Sequence, residues 1–148
     1  MTVKKIAMVL ILALSFLNVA NAQEWQKDLK KAEKIASTED KPIVLVFQGS
    51  DWCAPCIKLD KEIWSTDAFK NYAKEHFVML KADFPRRSKN KLAAEQQEKN
   101  NKLAETYNPE GYFPLVVVLD KSGTVLGKTG YKKTTPEEYI KTLNSFQK

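Results

Sequence analysis

The chain contains two cysteines, Cys53 and Cys56, and they are three residues apart. A disulfide that closes so short a loop restrains the unfolded chain only slightly, so stabilisation explains the pair poorly. The spacing is typical of dithiols that exchange disulfides. The pair lies where a buried strand ends and a helix begins, and the unpaired N–H groups of a helix start stabilise a thiolate. Cys53 is therefore the expected nucleophile and is expected to face solvent. Cys56, one turn into the helix, is expected to face the core and to resolve the mixed disulfide.

The residues around the cysteines suit a helix start. Ala54 and Pro55 separate the two thiols, and proline is well tolerated in a first helical turn because its missing N–H has no intrahelical partner there. Trp52 directly precedes the pair. Two interpretations of this tryptophan stay open: it shields the cysteines and contacts the substrate, or it only packs within the fold.

A metal site is an alternative interpretation of the cysteines, because half of a four-cysteine zinc site has the same C-x-x-C pattern. The chain has no second pair, and its single histidine, His76, follows a polar stretch at the end of a predicted helix. A complete tetrahedral zinc site within the chain is therefore not expected, we assign no metal ligands, and we interpret His76 as a surface residue. Two thiolates are adequate ligands for copper(I), so a copper chaperone or copper-binding protein that uses Cys53 and Cys56 stays open.

Hydrophobic patterning predicts the elements that position this motif. The β-branched run 43–47 predicts a buried strand directly before the cysteines, and helical periodicity predicts helices at 24–37 and after Cys56. The later elements are predicted as a helix capped by Ser65 or Thr66, a strand at 77–82, an exposed helical excursion at 86–101, strands at 114–119 and 124–128, and a helix capped by Thr135 with Glu138 as its capping-box acid. For residues 86–91, a disordered loop is the alternative to this helical prediction.

This order of elements predicts an α/β fold with a mixed central sheet flanked by helices on both faces. The expected core residues are Phe47, Trp64, Phe69, Leu115 and Val117.

The first 22 residues predict a secretory signal peptide. Two lysines, Lys4 and Lys5, precede an apolar run that ends before a small-x-small cleavage site, Ala20-Asn21-Ala22. The run is shorter than the roughly 18 residues that a membrane-spanning helix needs. We expect cleavage after Ala22, a single domain at 23–148, and a periplasmic or secreted location. The formal net charge is +6, but the basic residues are interleaved with acidic ones, so we expect no nucleic acid partner. We also expect a monomer.

The stretch from Lys41 to Cys56, KPIVLVFQGSDWCAPC, resembles the active-site strand and motif of the thioredoxin superfamily. The resemblance covers Pro42 to Phe146 and is greatest for small exported thioredoxin-like domains, which include the C-terminal domain of the bacterial transmembrane disulfide-interchange reductase. It implies a thioredoxin-like fold. The family carries a cis-proline just before its third main strand, where this chain has Phe113-Pro114. The resemblance implies that Pro114 packs beside the cysteines and that the backbone of Phe113 pairs with substrate.

One position departs from the family pattern. Cytosolic thioredoxins bury an acid six residues before the first cysteine, where it helps move the proton of the resolving thiol, and this chain has Phe47 there. Proton transfer must then come from solvent or from another side chain. Asp51, Lys58 and Glu62 are the nearest candidates in sequence, and each has a plain surface charge as its alternative interpretation.

The resemblance implies an exported thiol-disulfide oxidoreductase that needs no cofactor beyond its own dithiol. Its partners are expected to be protein thiols and disulfides and an upstream redox partner, which in this family includes a membrane electron donor. The Trp-Cys-x-Pro-Cys pattern resembles reducing members, so a reductase or isomerase is expected rather than an oxidase. The alternatives are the copper-binding protein and a fold with an inert structural disulfide.

Overall fold

Five strands form one sheet, and its central strand leads directly to the cysteines in a computed structural model that describes residues 23–148. The strands are β1 (Trp25–Gln26), β2 (Ile43–Gln48), β3 (Val78–Asp83), β4 (Leu115–Leu119) and β5 (Val125–Thr129), in the spatial order β1-β3-β2-β4-β5. β1, β3 and β2 are parallel, whereas β4 and β5 are antiparallel to their neighbours. The predicted signal peptide and its cleavage site lie outside the described residues.

Within residues 23–148, five α-helices cover this sheet. They are α1 (Leu29–Glu39), α2 (Ala54–Leu59), α3 (Asp67–His76), α4 (Ala94–Tyr107) and α5 (Pro136–Ser145). A π-helical segment, Asp60–Trp64, continues α2, and a 3-10 turn, Ser88–Asn90, precedes α4. Within residues 23–148 none of these helices has the length and apolar character needed to cross a membrane.

The two faces of the sheet carry separate apolar layers, because side chains alternate along each strand. Val44 and Val46 pack with Trp64 and Phe69 and with residues of α5, while Ile43, Leu45 and Phe47 pack with residues of α1 and α4. The predicted arrangement, a mixed sheet with helices on both faces, is confirmed. Of the expected core residues, Phe47, Trp64, Phe69 and Val117 are buried and Leu115 is partly buried.

The start of the domain differs from the predicted helix at 24–37. Trp25 and Gln26 form β1 by pairing with Met79 and Leu80 of β3, and the helix begins only at Leu29. Asp28 fixes that start because its carboxylate accepts a hydrogen bond of 2.9 Å from the Lys31 N–H. A strand of two residues is too short to show a period of its own, so the helical pattern masked it.

Other predicted boundaries agree closely with the structure. Thr66 caps α3 and Thr135 caps α5, each through its hydroxyl oxygen. In α5 the N–H of Glu138 donates to Thr135, but the Glu138 carboxylate lies 2.6 Å from Nζ of Lys141. Glu138 therefore forms an ion pair along the helix rather than the second half of the predicted capping box.

The strand register brings three distant chain segments to one end of the sheet. At the C-terminal end of β2, Gln48 pairs with Asp83, the last residue of β3. On its other side, Phe47 pairs with Leu115, the first residue of β4. The motif that follows β2, the segment that follows β3 and the Phe113-Pro114 bond that precedes β4 therefore meet at this end.

Candidate active site

The cysteines lie at the turn that joins β2 to α2. The N–H of Cys53 donates a hydrogen bond of 2.9 Å to the Gly49 carbonyl, which closes a tight turn after the strand. Cys53 is the N-cap of α2, the helix begins at Ala54, and Pro55 occupies its first turn. Cys53 and Cys56 are joined by a disulfide, with their Cα atoms 5.2 Å apart. The strand-to-helix location predicted for the motif is confirmed.

The start of α2 supplies a hydrogen-bond donor to the first sulfur. The N–H of Cys56 points to Sγ of Cys53 at 3.3 Å. A donor in this position, together with the positive end of the helix dipole, stabilises a negative charge on that sulfur once the disulfide is reduced. The arrangement suits Cys53 as a thiolate nucleophile.

The two cysteines do not differ in exposure as expected. Cys53 is 4% exposed and Cys56 is 3% exposed, whereas the sequence predicted that Cys53 faces solvent and Cys56 faces the core. The disulfide accounts for the difference because it holds the Cys53 sulfur against the first turn of α2. Ala54 and Pro55, between the cysteines, are exposed.

The Phe113-Pro114 peptide bond is cis, as predicted. It lies just before β4, at the same end of the sheet as the cysteines, and both residues are partly buried. The preceding turn is held by Asn108, which is 2% exposed. Its side chain accepts from the Tyr112 N–H at 2.9 Å and donates to the Tyr112 carbonyl at 2.8 Å. Asn108 thereby fixes the chain that enters Phe113.

Trp52 is held on several sides by residues from other segments. Its Nε1 donates a hydrogen bond of 2.7 Å to the Phe84 carbonyl, and its ring meets that of Phe113 edge-on at 5.5 Å between centroids. The Arg86 guanidinium lies 3.6 Å from the centroid of the indole. The space for the ring depends on Gly49, where an added Cβ would lie 2.2 Å from the indole. Trp52 therefore packs within the fold, which both interpretations of this residue allow.

Asp51 connects the motif to the segment after β3. Its carboxylate accepts hydrogen bonds from the N–H groups of Arg86 at 2.9 Å and Arg87 at 3.0 Å, and from the Asn90 amide at 2.9 Å. The Arg86 hydrogen bond, then that of Asn90, lowers the pKa of Asp51 to about 2, with smaller contributions from Arg87. Asp51 is a surface charge that three hydrogen bonds hold in place, and so low a pKa makes it a poor proton acceptor near neutral pH.

A second acid strengthens the same connection. Asp83, at the end of β3, accepts hydrogen bonds from the Ser50 N–H at 2.9 Å and the Ser50 hydroxyl at 2.6 Å. The carbonyl of Asp83 in turn accepts from the buried Asn100 amide at 2.8 Å. The turn before the cysteines is therefore tied through Asp83 to α4.

The remaining charged and metal-binding candidates lie in different surroundings. Phe47, at the position where cytosolic thioredoxins bury an acid, is fully buried. Lys58 is exposed. The Glu62 carboxylate accepts a hydrogen bond of 2.8 Å from the Tyr131 hydroxyl. That hydrogen bond raises the pKa of Tyr131. His76 is exposed, as predicted, and its ring stacks on Tyr72. Among residues 23–148 no group of three or more His, Cys, Asp or Glu side chains is arranged to hold a metal ion.

Several residues at this end of the sheet were missed from the sequence. They are Asp83, Phe84, Arg86 and Asn108, which contact the motif or the Phe113 turn. Asp83 and Phe84 carried a detectable signal, because they end a strand predicted to lie beside the motif strand, and parallel neighbours end at the same edge. Arg86 lies in a polar run without periodicity, and Asn108 looked like an ordinary turn residue.

The chain is similar to known proteins in sequence and in structure. Residues 24–121 match the sequence model of a family described as thioredoxin-like. The chain is 36% identical over 126 residues to the disulfide bond reductase DsbH of Chlamydia pneumoniae, which covers 85% of this chain and 73% of that protein. It is also similar to the solved structure of a DsbH oxidoreductase, with a TM-score of 0.77 and 31% identity over 90% of this chain and 91% of the other.

A more distant likeness shows the fold alone. The oxidised C-terminal domain of DsbD from Neisseria meningitidis aligns with a TM-score of 0.51 and 19% identity, over 78% of this chain and 90% of that domain. The resemblance drawn from the motif residues is therefore supported by sequence and by structure.

Proposed function

Because the chain belongs to the thioredoxin-like family and is a thiol-disulfide oxidoreductase, we propose that it reduces protein disulfides outside the cytoplasm. The observation that carries the proposal is the disulfide at the start of α2, where Sγ of Cys53 accepts a hydrogen bond from the Cys56 N–H. The reducing direction is supported by the relative named as a disulfide bond reductase and by the Trp-Cys-Ala-Pro-Cys pattern.

In the proposed reaction, the reduced protein donates two electrons to a client, meaning a protein whose disulfide is reduced. The Cys53 thiolate attacks one client sulfur, forming a mixed disulfide as the client disulfide breaks and one client thiolate leaves. The Cys56 thiolate then attacks Sγ of Cys53, forming the Cys53–Cys56 disulfide and releasing the second client thiolate. The two client thiolates take up protons, and a dithiol protein upstream restores the reduced state.

Two further residues are proposed to bind the client. Phe113 offers main-chain groups next to the cis-proline Pro114, and Trp52 packs against Phe113 at the start of the motif. An extended client strand bound to the Phe113 backbone lies across the end of the sheet that holds the cysteines. Ala54 and Pro55 are proposed to support the motif by setting the helix start between the two sulfurs.

The experiment measures the reduction of a disulfide substrate and the trapping of mixed disulfides. Reduced wild-type protein is expected to reduce the interchain disulfides of insulin, and Cys53→Ser to lose this activity. Cys56→Ser is expected to accumulate mixed disulfides, and since the chain has two cysteines, each trapped bond must involve Cys53. A reduction potential near thioredoxin's value of about −270 mV supports a reductase, whereas one near about −120 mV points to an oxidase and overturns the proposed direction.

Export is proposed from the first 22 residues. A cleaved signal peptide places the domain where protein disulfides form and persist, which is where a separate reductase has clients. Mass measurement of protein from the native host is expected to give a chain that begins at Gln23. A membrane-bound chain that retains Met1 would contradict cleavage.

The copper-binding alternative receives less support. The relatives described above carry names of a reductase and an oxidoreductase, and His76, the histidine that a copper site with a third ligand would use, stacks on Tyr72 at the surface. Copper(I) that binds to the reduced protein without any turnover of disulfides would favour this alternative.

A further inference from the structure

We propose that residues 86–91, here called the basic segment (Arg86-Arg87-Ser88-Lys89-Asn90-Lys91), select clients whose cysteines are flanked by acidic residues. The inference rests on the proposed function, because it names the chemistry of the client that this site takes. It follows from where the segment lies, how it is attached, and which charges it leaves available.

The basic segment lies beside the active-site motif. It follows β3, which is parallel to β2 and ends at the same edge of the sheet. The Arg86 guanidinium lies over the indole of Trp52, the residue before Cys53, at 3.6 Å from its centroid. The same indole also contacts Phe113, with 5.5 Å between the ring centroids. A client bound to the Phe113 backbone and to Cys53 is therefore next to Arg86.

Two main-chain N–H groups and one side-chain amide attach the segment to the carboxylate of Asp51. Asp51 binds the N–H groups of Arg86 and Arg87 and the amide of Asn90. These three hydrogen bonds involve no guanidinium or ammonium group, and Arg86 is the one cation of the segment whose side chain also packs on the motif, at Trp52. Substitution of the basic side chains should leave its three anchoring hydrogen bonds intact, which makes charge separable from structure in an experiment.

The positive charges of the segment remain available to a ligand. Arg86, Arg87, Lys89 and Lys91 are all exposed, and none of them forms an ion pair with another residue in the described part of the chain. The carboxylates at this edge, Asp51 and Asp83, accept hydrogen bonds from the segment and from the motif, respectively. Cations still outnumber these acids.

An extended client brings its flanking side chains within reach of this charge. A strand advances about 3.3 Å per residue, so residues two or three positions from the client cysteine lie about 7–10 Å from it. Interactions over that distance are only partly screened at physiological salt, where the Debye length is about 8 Å. Arginine pairs with carboxylates through two parallel hydrogen bonds. The basic segment is therefore expected to raise the association rate of an acidic client and to stabilise the bound complex.

The test uses three synthetic peptides that share one internal disulfide and differ only in two flanking residues, which are Asp, Asn or Lys. The kcat/KM for their reduction is measured at ionic strengths of about 0.01 M and about 0.15 M, with dithiothreitol as electron donor. The wild type is expected to prefer the Asp peptide to the Lys peptide about tenfold at low salt, and less at high salt.

The variants separate charge from fold. The double variant Arg86→Gln/Arg87→Gln is expected to lower this preference at least about threefold. The double variant Arg86→Lys/Arg87→Lys, which keeps both charges, is expected to retain most of it. Lys89→Gln with Lys91→Gln, which leaves the Trp52 contact intact, should also lower it. The matched control is Lys74→Gln with Lys148→Gln, which removes two exposed charges outside the segment and should not change it.

Two results overturn the inference: equal kcat/KM for the three peptides with the wild type, or an unchanged preference in both glutamine variants of the basic segment. Failure of the proposed function looks different, because then no peptide is reduced faster than by dithiothreitol alone. In that case the rate at which Cys56→Ser forms mixed disulfides with the three peptides still reports selection. A faster rate with the Asp peptide supports the inference, and equal rates overturn it.

Discussion

Nε1 of Trp52 donates a hydrogen bond of 2.7 Å to the carbonyl oxygen of Phe84. The two residues are 32 positions apart, and the bond joins the turn before the cysteines to the segment that follows β3. Because this hydrogen bond is partly buried, breaking it would leave the Trp52 N–H and the Phe84 carbonyl poorly satisfied. The orientation of the residue before Cys53 is therefore set by the segment that follows β3.

Gly49→Ala is expected to destabilise the protein by about 1–3 kcal/mol, because the new Cβ would lie 2.2 Å from the indole of Trp52 and force the ring to move. Urea unfolding measures the change in the free energy of unfolding. The same substitution should cost much less in a Trp52→Ala background, where the ring is gone. An equal cost in both backgrounds would show that the close contact with Trp52 is not the cause.

Asp51→Asn is expected to flatten the pH dependence of stability in acid. The pKa of Asp51 is lowered from 3.8 to about 2 in the folded protein, so its stabilising effect is fully present above pH 3.8 and is lost as the pH falls through about 2. Between these values the unfolded state binds more protons, and wild-type stability rises with pH. Urea unfolding of both proteins at several pH values measures this slope. Parallel profiles would contradict the role given to Asp51.

Cys53 is expected to react with iodoacetamide at least about tenfold faster than Cys56 in the reduced protein at neutral pH, because the Cys56 N–H and the start of α2 stabilise the Cys53 thiolate. The single-thiol variants Cys56→Ser and Cys53→Ser allow each rate to be measured against pH. The Cys53 profile should show its inflection below the ordinary thiol value of about 8.5. A faster Cys56 would reverse the assignment of nucleophile and resolving thiol.

Asn108→Ala is expected to lower the free energy of unfolding by about 1–3 kcal/mol, because it removes two hydrogen bonds to Tyr112 from a buried side chain. The KM for a peptide disulfide should rise as well, since the turn leading to Phe113 loses its support. Asn101→Ala is the matched control: Asn101 is exposed and accepts one hydrogen bond from Gln97, so its effect should stay within about 0.5 kcal/mol. Equal effects of the two variants would contradict the role of Asn108.

Local sequence patterns determined the fold class and the central part of the site. The apolar run that became β2, the cysteine pair at the start of α2 and the capped start of α5 each follow from a few adjacent residues. Such features are predictable because hydrophobic periodicity and capping act over one or two turns of chain. The cis bond before Pro114 was implied by family resemblance and is present.

Only the tertiary structure decided what surrounds the cysteines. The partners of Asp51 and Trp52 come from Phe84 to Asn90 and from Phe113, and β1 exists only through its pairing with β3. The polar run after β3 has no periodicity of its own, so its conformation depends on hydrogen bonds to a carboxylate more than thirty residues away. Contacts of this kind depend on strand order and register, which no local pattern encodes.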